Sequence, residues 1–189
     1  RTALDYQTDD RQLAGALRSL AVSAALTAYE TSRGTGTRAD ALGALGAAFE
    51  NVEAWRPALN AYRASLKLRE SPALRATYED LRSRKGFRVV DNTVDADSAT
   101  PRLCVQFSEN LVRGQDYAGF VSVAGVADAP VEVEQKQICV DGLEHGRRYR
   151  VSFREGLPST VEEVLETPVT IEAYVRDRQP AARFSGNAF

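Results

Sequence analysis

The segment RLCVQF (residues 102–107) alternates apolar and polar side chains, and so does QICV (residues 137–140). Successive side chains of a β-strand point to opposite faces, so this alternation predicts two strands that are buried on one face only. In both segments the cysteine, Cys104 or Cys139, lies on the face opposite its apolar neighbours. The pattern therefore predicts two strands that each carry a cysteine on the outer, solvent-facing side.

Five further segments have strand character, and turn residues separate them at intervals of about 8–12 residues. The seven predicted strands cover residues 87–94, 102–108, 119–124, 131–135, 137–141, 148–154 and 169–176. Seven short antiparallel strands at this spacing are typical of an immunoglobulin- or fibronectin-like β-sandwich. In such a sandwich the second and fifth strands are neighbours, which predicts a Cys104–Cys139 disulfide across the outside of one sheet. Two unrelated, reduced thiols are the alternative that the residues leave open.

The turn before the sixth predicted strand has three residues with expected structural roles. Gly146 is expected to make the turn, Leu143 to fill the end of the sandwich, and Tyr149 to hydrogen-bond to the backbone as in a tyrosine corner. His145 is expected to lie at the exposed tip of this turn as a solvated side chain, since the sequence places no second ligand beside it.

Composition changes near residue 86. Residues 1–86 contain 18 Ala and 2 Val, whereas residues 87–189 contain 10 Ala and 16 Val. Alanine favours helices and valine favours strands, so the chain is predicted to be α+β in two domains. A helical domain would occupy residues 1–86 and the β-sandwich residues 87–189.

Four helices are predicted in the first domain, over residues 9–33, 40–51, 55–69 and from Ser71-Pro72 to near Gly86. The apolar side of the first is marked by residues at helical spacing: Leu13, Leu17, Leu20, Ala24 and Tyr29. The second and third helices match a tetratricopeptide repeat at Leu45-Gly46, Phe49, Ala58, Tyr62 and Ser65. Small residues at Gly46 and Ala58 would let the two helices approach, with Phe49 and Tyr62 filling the space beside them. A generic four-helix packing domain is the alternative.

Charge and residue counts disfavour several classes of function. The 24 Lys and Arg nearly balance the 26 Asp and Glu, and the net charge of -2 argues against nucleic acid as a partner. One histidine and two cysteines leave little material for a metal site or a His-based triad. No apolar run approaches the ~20 residues of a membrane span.

Two acidic clusters are candidates for chemistry. Glu162, Glu163 and Glu166 are expected to form the polar face of a short helical turn. The stretch from Asp95 to Asp97 resembles the start of a calcium loop but lacks its glycine and its bidentate glutamate. We therefore expect a non-catalytic chain with no metal and no cofactor.

A series of short motifs follows in a fixed order: PRLCVQFSE (101–109), Asp116-Tyr117, Val121, ICVDGL (138–143), Gly146-x-x-Tyr149, GLPS (156–159) and Asp177-Arg178-x-Pro180. In order and spacing they resemble the first macroglobulin-like domain of large bacterial α2-macroglobulins. The helical segment with WRPAL (55–59) and AYR (61–63) is similar to the stretch that precedes that domain in some of these proteins.

The resemblance implies an N-terminal scaffold segment of a broad-spectrum protease inhibitor that serves bacterial defence. Its bait and thioester regions would lie outside this chain, because neither Cys104 nor Cys139 stands in a Cys-x-Glu-Gln motif. Expected partners are further macroglobulin-like domains of the same parent chain and, through the full-length protein, target proteases. The expected location is the periplasm or cell envelope, with a lipoprotein anchor upstream of Arg1 left open. The alternative is a cell-envelope adaptor that binds a peptide through its tetratricopeptide-like helices.

Overall fold

The alanine-rich first part of the chain folds into four α-helices: α1 (Arg11–Thr31), α2 (Thr35–Asn51), α3 (Trp55–Leu68) and α4 (Pro72–Lys85). The structure is a computed structural model that describes residues 11–178. The chain divides into two compact units, the first ending at Gly86 and the second beginning at Phe87. No helix of the described residues is long and apolar enough to cross a membrane.

Helix α2 begins at Thr35, five residues before the predicted start. Gly34 adopts a φ of 101°, which is easily accessible only to glycine, and turns the chain between α1 and α2. Gly36 lies in the first turn of α2.

The buried side of α1 also differs from the prediction. Ala21, Val22 and Ala25 pack against α2, whereas Leu13 and Leu20 are 44% and 61% exposed. Small side chains on the contacting face let two helices lie close together, so the alanine side is buried in place of the leucine side.

The tetratricopeptide-like residues meet between α2 and α3. A Cβ added at Gly46 would overlap the Tyr62 ring, and Ala58 is completely buried. The Tyr62 hydroxyl donates a hydrogen bond to Glu50 Oε2 at 2.9 Å. Burial and the adjacent Glu50 carboxylate raise the pKa of Tyr62 well above its usual value. Phe49 packs beside the same residues, half-buried.

The valine-rich second part forms seven strands: β1 (Val89–Asp95), β2 (Arg102–Phe107), β3 (Val121–Val123), β4 (Val131–Glu134), β5 (Gln137–Val140), β6 (Arg147–Phe153) and β7 (Val169–Val175). They build a four-stranded sheet in the order β1-β2-β5-β4 and a three-stranded sheet in the order β3-β6-β7, with all neighbours antiparallel. The predicted fold class, a helical segment followed by a seven-stranded β-sandwich, is confirmed.

The inward faces of both sheets form one apolar core. Leu103, Val105 and Phe107 of β2 lie in this core, as predicted from their alternation. Phe107 stacks on Phe87 with ring centroids 5.4 Å apart and meets the edge of Phe153 at 5.5 Å. Such aromatic pairs stabilise the core beyond the area that they bury.

Glycine at position 46 gives a direct test of the α2–α3 contact. Gly46→Ala is expected to lower the free energy of unfolding by about 1–3 kcal/mol, because the new methyl group would overlap the Tyr62 ring. Gly43→Ala in the same helix is the matched control, since its added Cβ would be 3.8 Å from Leu74 and Ser65, an ordinary contact. Urea unfolding followed by the fluorescence of Trp55, the single tryptophan, measures both. Equal stability of the two variants would contradict the close approach.

Candidate functional site

The two cysteines lie directly opposite each other on the central strands β2 and β5 and are joined by a disulfide. Their Cα atoms are 3.9 Å apart. The Phe107 N–H donates to the Lys136 carbonyl, so these two residues form a hydrogen-bonded pair. Hydrogen-bonded and non-hydrogen-bonded pairs alternate along an antiparallel ladder, and Cys104 lies three residues before Phe107. Cys104 and Cys139 are therefore a non-hydrogen-bonded pair. Side chains approach most closely in such pairs, which explains why this position can be bridged.

The disulfide lies on the side of the sheet away from the core, but the prediction that both cysteines face solvent is wrong for Cys139. Cys139 is 1% exposed, whereas Cys104 is half-buried. Both cysteines stand on central strands, so the strand order does not explain why Cys139 is the more buried of the two. Alternation gave the face but could not give the degree of burial.

Tyr149 and Gly146 build the turn that leads into β6. The Tyr149 hydroxyl accepts a hydrogen bond from the Glu144 N–H at 2.9 Å, and Leu143 is buried beside the core. Gly146 has a φ of 72° and its N–H donates to the Val175 carbonyl at 2.8 Å. These contacts hold the β5–β6 connection against the end of the sandwich.

His145 is not a solvated tip residue, contrary to the prediction. It is half-buried, and its Nε2 lies 2.9 Å from the Ala96 carbonyl oxygen. Ala96 itself is buried in the core. The partner is 49 residues away in sequence, so local pattern could not reveal this contact.

Tyr117 is a second anchoring tyrosine, to which the sequence analysis assigned no role. It is 1% exposed, accepts a hydrogen bond from the Val112 N–H at 2.7 Å and donates one to the Pro158 carbonyl at 3.0 Å. Burial raises the pKa of its hydroxyl. The available signal was its place in the motif Asp116-Tyr117.

The glutamate cluster does not form a helical turn, and that prediction is wrong. Residues around it fold back on themselves, with Pro158 opposite Val164 in an isolated bridge and Glu162 at a φ of 60°. Glu163 is 7% exposed, and its Oε2 accepts a hydrogen bond from the Phe87 N–H at 2.9 Å. Its carboxylate therefore ties the start of the second unit to this loop instead of facing a partner acid.

The acidic stretch before β2 is held by cations of the chain itself. The Asp95 carboxylate accepts from the N–H groups of Asp97 and Ser98, and both Asp97 carboxylate oxygens lie 2.7 Å from Arg176. Over residues 11–178 no three His, Cys, Asp or Glu side chains form a group that could hold a metal ion. The arrangement is that of a strand connection fixed by an ion pair.

No protein-family model matches the chain, and no curated protein sequence matches it. Among solved structures, it is similar to native alpha-2-macroglobulin from Escherichia coli in a crystal structure spanning domains MG0-NIE-MG1, with 20% identity over 50% of this chain and 33% of that chain, at a TM-score of 0.45. A mutant of Salmonella alpha-2-macroglobulin matches with 21% identity over 53% of this chain and 7% of that chain, at a TM-score of 0.45. The N-terminal part of the bacterial S-layer protein SbsC matches with 20% identity over 92% of this chain and 45% of that chain, at a TM-score of 0.43.

The chain thus corresponds to a third or less of the alpha-2-macroglobulin chains that it matches.

Removing the disulfide is expected to lower the free energy of unfolding by about 3–4 kcal/mol, the loop-closure value for a separation of 35 residues. Hydrogen exchange of the β2 and β5 amides, with and without dithiothreitol, measures the loss. Cys104→Ala/Cys139→Ala is the control, because dithiothreitol should change nothing in it. Two titratable thiols in denatured, unreduced protein would contradict the bond.

Tyr117→Phe is expected to cost about 1–3 kcal/mol, because it leaves the Val112 N–H and the Pro158 carbonyl without their shared partner. Tyr174→Phe is the matched control: Tyr174 is 49% exposed, and its replacement should change stability by less than about 0.5 kcal/mol. Urea unfolding monitored by far-UV circular dichroism compares them. A Tyr117→Phe variant as stable as its control would show that the hydroxyl does not anchor these loops.

Proposed function

We propose that this chain is a non-catalytic scaffold segment of a bacterial α2-macroglobulin-like, broad-spectrum protease inhibitor. The observation that carries the proposal is the ordered series of sequence motifs from Pro101 to Pro180. Their residues hold the second unit together: Cys104 and Cys139 are bonded, and Tyr117 and Tyr149 anchor separate connections. Because these motif residues make contacts within the fold, the motif series supports a structural role for the module.

The engagement of the candidate reactive groups supports a role without catalysis. Both cysteines are in the disulfide, and an oxygen of the buried Glu163 carboxylate accepts a backbone hydrogen bond. A ring nitrogen of His145, the single histidine, lies against a backbone carbonyl. A catalytic acid, base or nucleophile must instead reach a substrate from a cleft.

The proposal includes export to the periplasm or cell envelope. A disulfide such as Cys104–Cys139 persists in oxidising compartments and is rare in the reducing cytosol. Attachment to the inner membrane through a lipoprotein N-terminus upstream of Arg1 belongs to the same hypothesis.

In this role the partners are other macroglobulin-like domains of a longer parent chain. Target proteases would be met by the bait region of that parent protein and not by the segment itself. The segment would supply fixed surfaces on which neighbouring domains pack.

The parent protein provides the test. Its complete gene is expected to encode a series of further sandwich domains, and the purified parent is expected to inhibit endopeptidases of different specificities. The present chain, lacking the bait region, serves as the control and should inhibit none. A parent without further sandwich domains, or one that leaves all proteases active, would overturn the proposal.

The cell-envelope adaptor is the competing hypothesis, and its motivation is the tetratricopeptide-like spacing from Leu45 to Ser65 in α2 and α3. It requires a specific peptide ligand for the helices. Titration of the full chain with a peptide library, followed by the fluorescence of Trp55 at the start of α3, separates the two: saturable binding by one peptide class supports the adaptor.

A further inference from the structure

Two free sheet edges line one groove of the sandwich. β3 is an outer strand of the three-stranded sheet, and β4 is an outer strand of the four-stranded sheet. Residues of both strands and of the segment that joins them surround a groove of about 540 Å³. Clefts of this size are typical of sites that bind ligands or peptide segments.

Among residues 11–178 no strand pairs with the outer edge of β4, so backbone groups there are left without a strand partner. A two-residue turn at Gln135-Lys136 joins β4 to β5, so Glu134 and Gln137 form the hydrogen-bonded pair that closes the hairpin. Because the pattern alternates, Glu132 also bonds to β5, while the N–H and C=O groups of Val131 and Val133 point away from the sheet. Such a row of groups is a template for an additional strand.

The groove has an apolar floor. Val121, Val126, Ala129 and Val131 are partly exposed and pack against the sandwich core. Val133 lies opposite the core residue Ile138 and is 36% exposed. An added strand would therefore bury apolar side chains on the face that it turns toward the groove.

The charged residues that line the groove are acidic, while Arg113 and Lys136 lie with Val133 and Glu134 around a neighbouring depression. Asp116 and Asp128 lie among its lining residues, which include no Lys or Arg. On the outer face of β4, Glu132 and Glu134 alternate with the valines; Glu132 pairs with Arg102 at 3.1 Å but keeps 52% of its side chain exposed. Side chains of an added strand on that face would lie next to these carboxylates.

We propose that this groove binds an extended segment with alternating apolar and basic residues, which adds as a strand to β4. Its apolar side chains cover the valine floor, and its lysines or arginines lie beside Glu132 and Glu134. A second copy of β4 does not fit this site, because its own VEVE sequence would place glutamates opposite glutamates. The site does not depend on the inhibitor role proposed above.

The test uses the full chain and a synthetic peptide, acetyl-(Lys-Val)₄-amide. Saturable binding is expected, with slowed hydrogen exchange at the Val131 and Val133 amides, measured by NMR. The peptide acetyl-Lys₄-Val₄-amide has the same composition without alternation and should bind at least about fivefold more weakly, because it cannot place apolar and basic side chains on separate faces.

Charge reversal distinguishes this site from general attraction to an acidic protein. Glu132→Lys/Glu134→Lys is expected to weaken binding of the Lys-Val peptide about tenfold and to create binding of acetyl-(Glu-Val)₄-amide. Glu155→Lys/Glu172→Lys is the matched control, with the same change in net charge at exposed residues outside β4. This control should stay within about threefold of the unmodified chain.

Val133→Pro removes one outward N–H at a position where an edge strand accepts proline, and it should weaken binding of the Lys-Val peptide about fivefold.

The proposal is overturned if acetyl-Lys₄-Val₄-amide binds as well as acetyl-(Lys-Val)₄-amide, or if hydrogen exchange slows at amides other than those of β4. Equal effects of the two charge reversals on binding of the Lys-Val peptide would also overturn it. So would a folded Glu132→Lys/Glu134→Lys variant that does not bind acetyl-(Glu-Val)₄-amide.

Discussion

The register between β2 and β5 is the constraint on which the sandwich depends. These two strands form the centre of the four-stranded sheet, with β1 and β4 added on either side. Side chains alternate with a period of two, so a slip of one residue would turn Leu103, Val105 and Ile138 out of the core and into water. The disulfide joins one of the two outward pairs that this register brings face to face, the other being Gln106 and Gln137. The hydrophobic pattern and the covalent bond therefore select the same register, and each makes the other possible.

The loops that connect the strands must also be fixed in place, and two tyrosines fix them through hydrogen bonds of their hydroxyl groups. Tyr117 and Tyr149 each bury an aromatic ring in the core and hydrogen-bond through the hydroxyl to the backbone of a connecting loop. A loop N–H that is removed from water without a partner is costly, and the phenol supplies that partner from inside the core. Glu163 acts similarly on the Phe87 N–H. Rigid connections suit a module that presents fixed surfaces to its neighbours.

Local patterns predicted the parts of this structure that depend on residues close in sequence. Alternation predicted the strands and their inward faces, and the strand order expected of a sandwich predicted the cysteine pair. The tetratricopeptide spacing predicted that Gly46 and Tyr62 both lie at the contact between the second and third helices. Contacts between distant residues were missed: the Glu163 carboxylate binds an N–H 76 residues away, and the His145 partner is 49 residues away. The leucine spacing of α1 predicted the wrong buried side for a related reason. The side of α1 that packs on α2 depends on how closely the two helices can approach, which the sequence of α1 alone does not show.

The open side of the sandwich combines two requirements that normally conflict. An exposed edge strand risks pairing with any other strand, and proteins blunt such edges with charge and proline. β4 follows Pro130 and carries Glu132 and Glu134, so pairing between two copies is opposed by repulsion between like charges. The same glutamates leave the valine backbone groups accessible to a strand of opposite charge. On the other side of the sandwich, the edge strands β1 and β7 contact each other. The negative charge of Glu132 and Glu134 opposes pairing with a second copy of β4, and the same charge would select a basic strand as the partner.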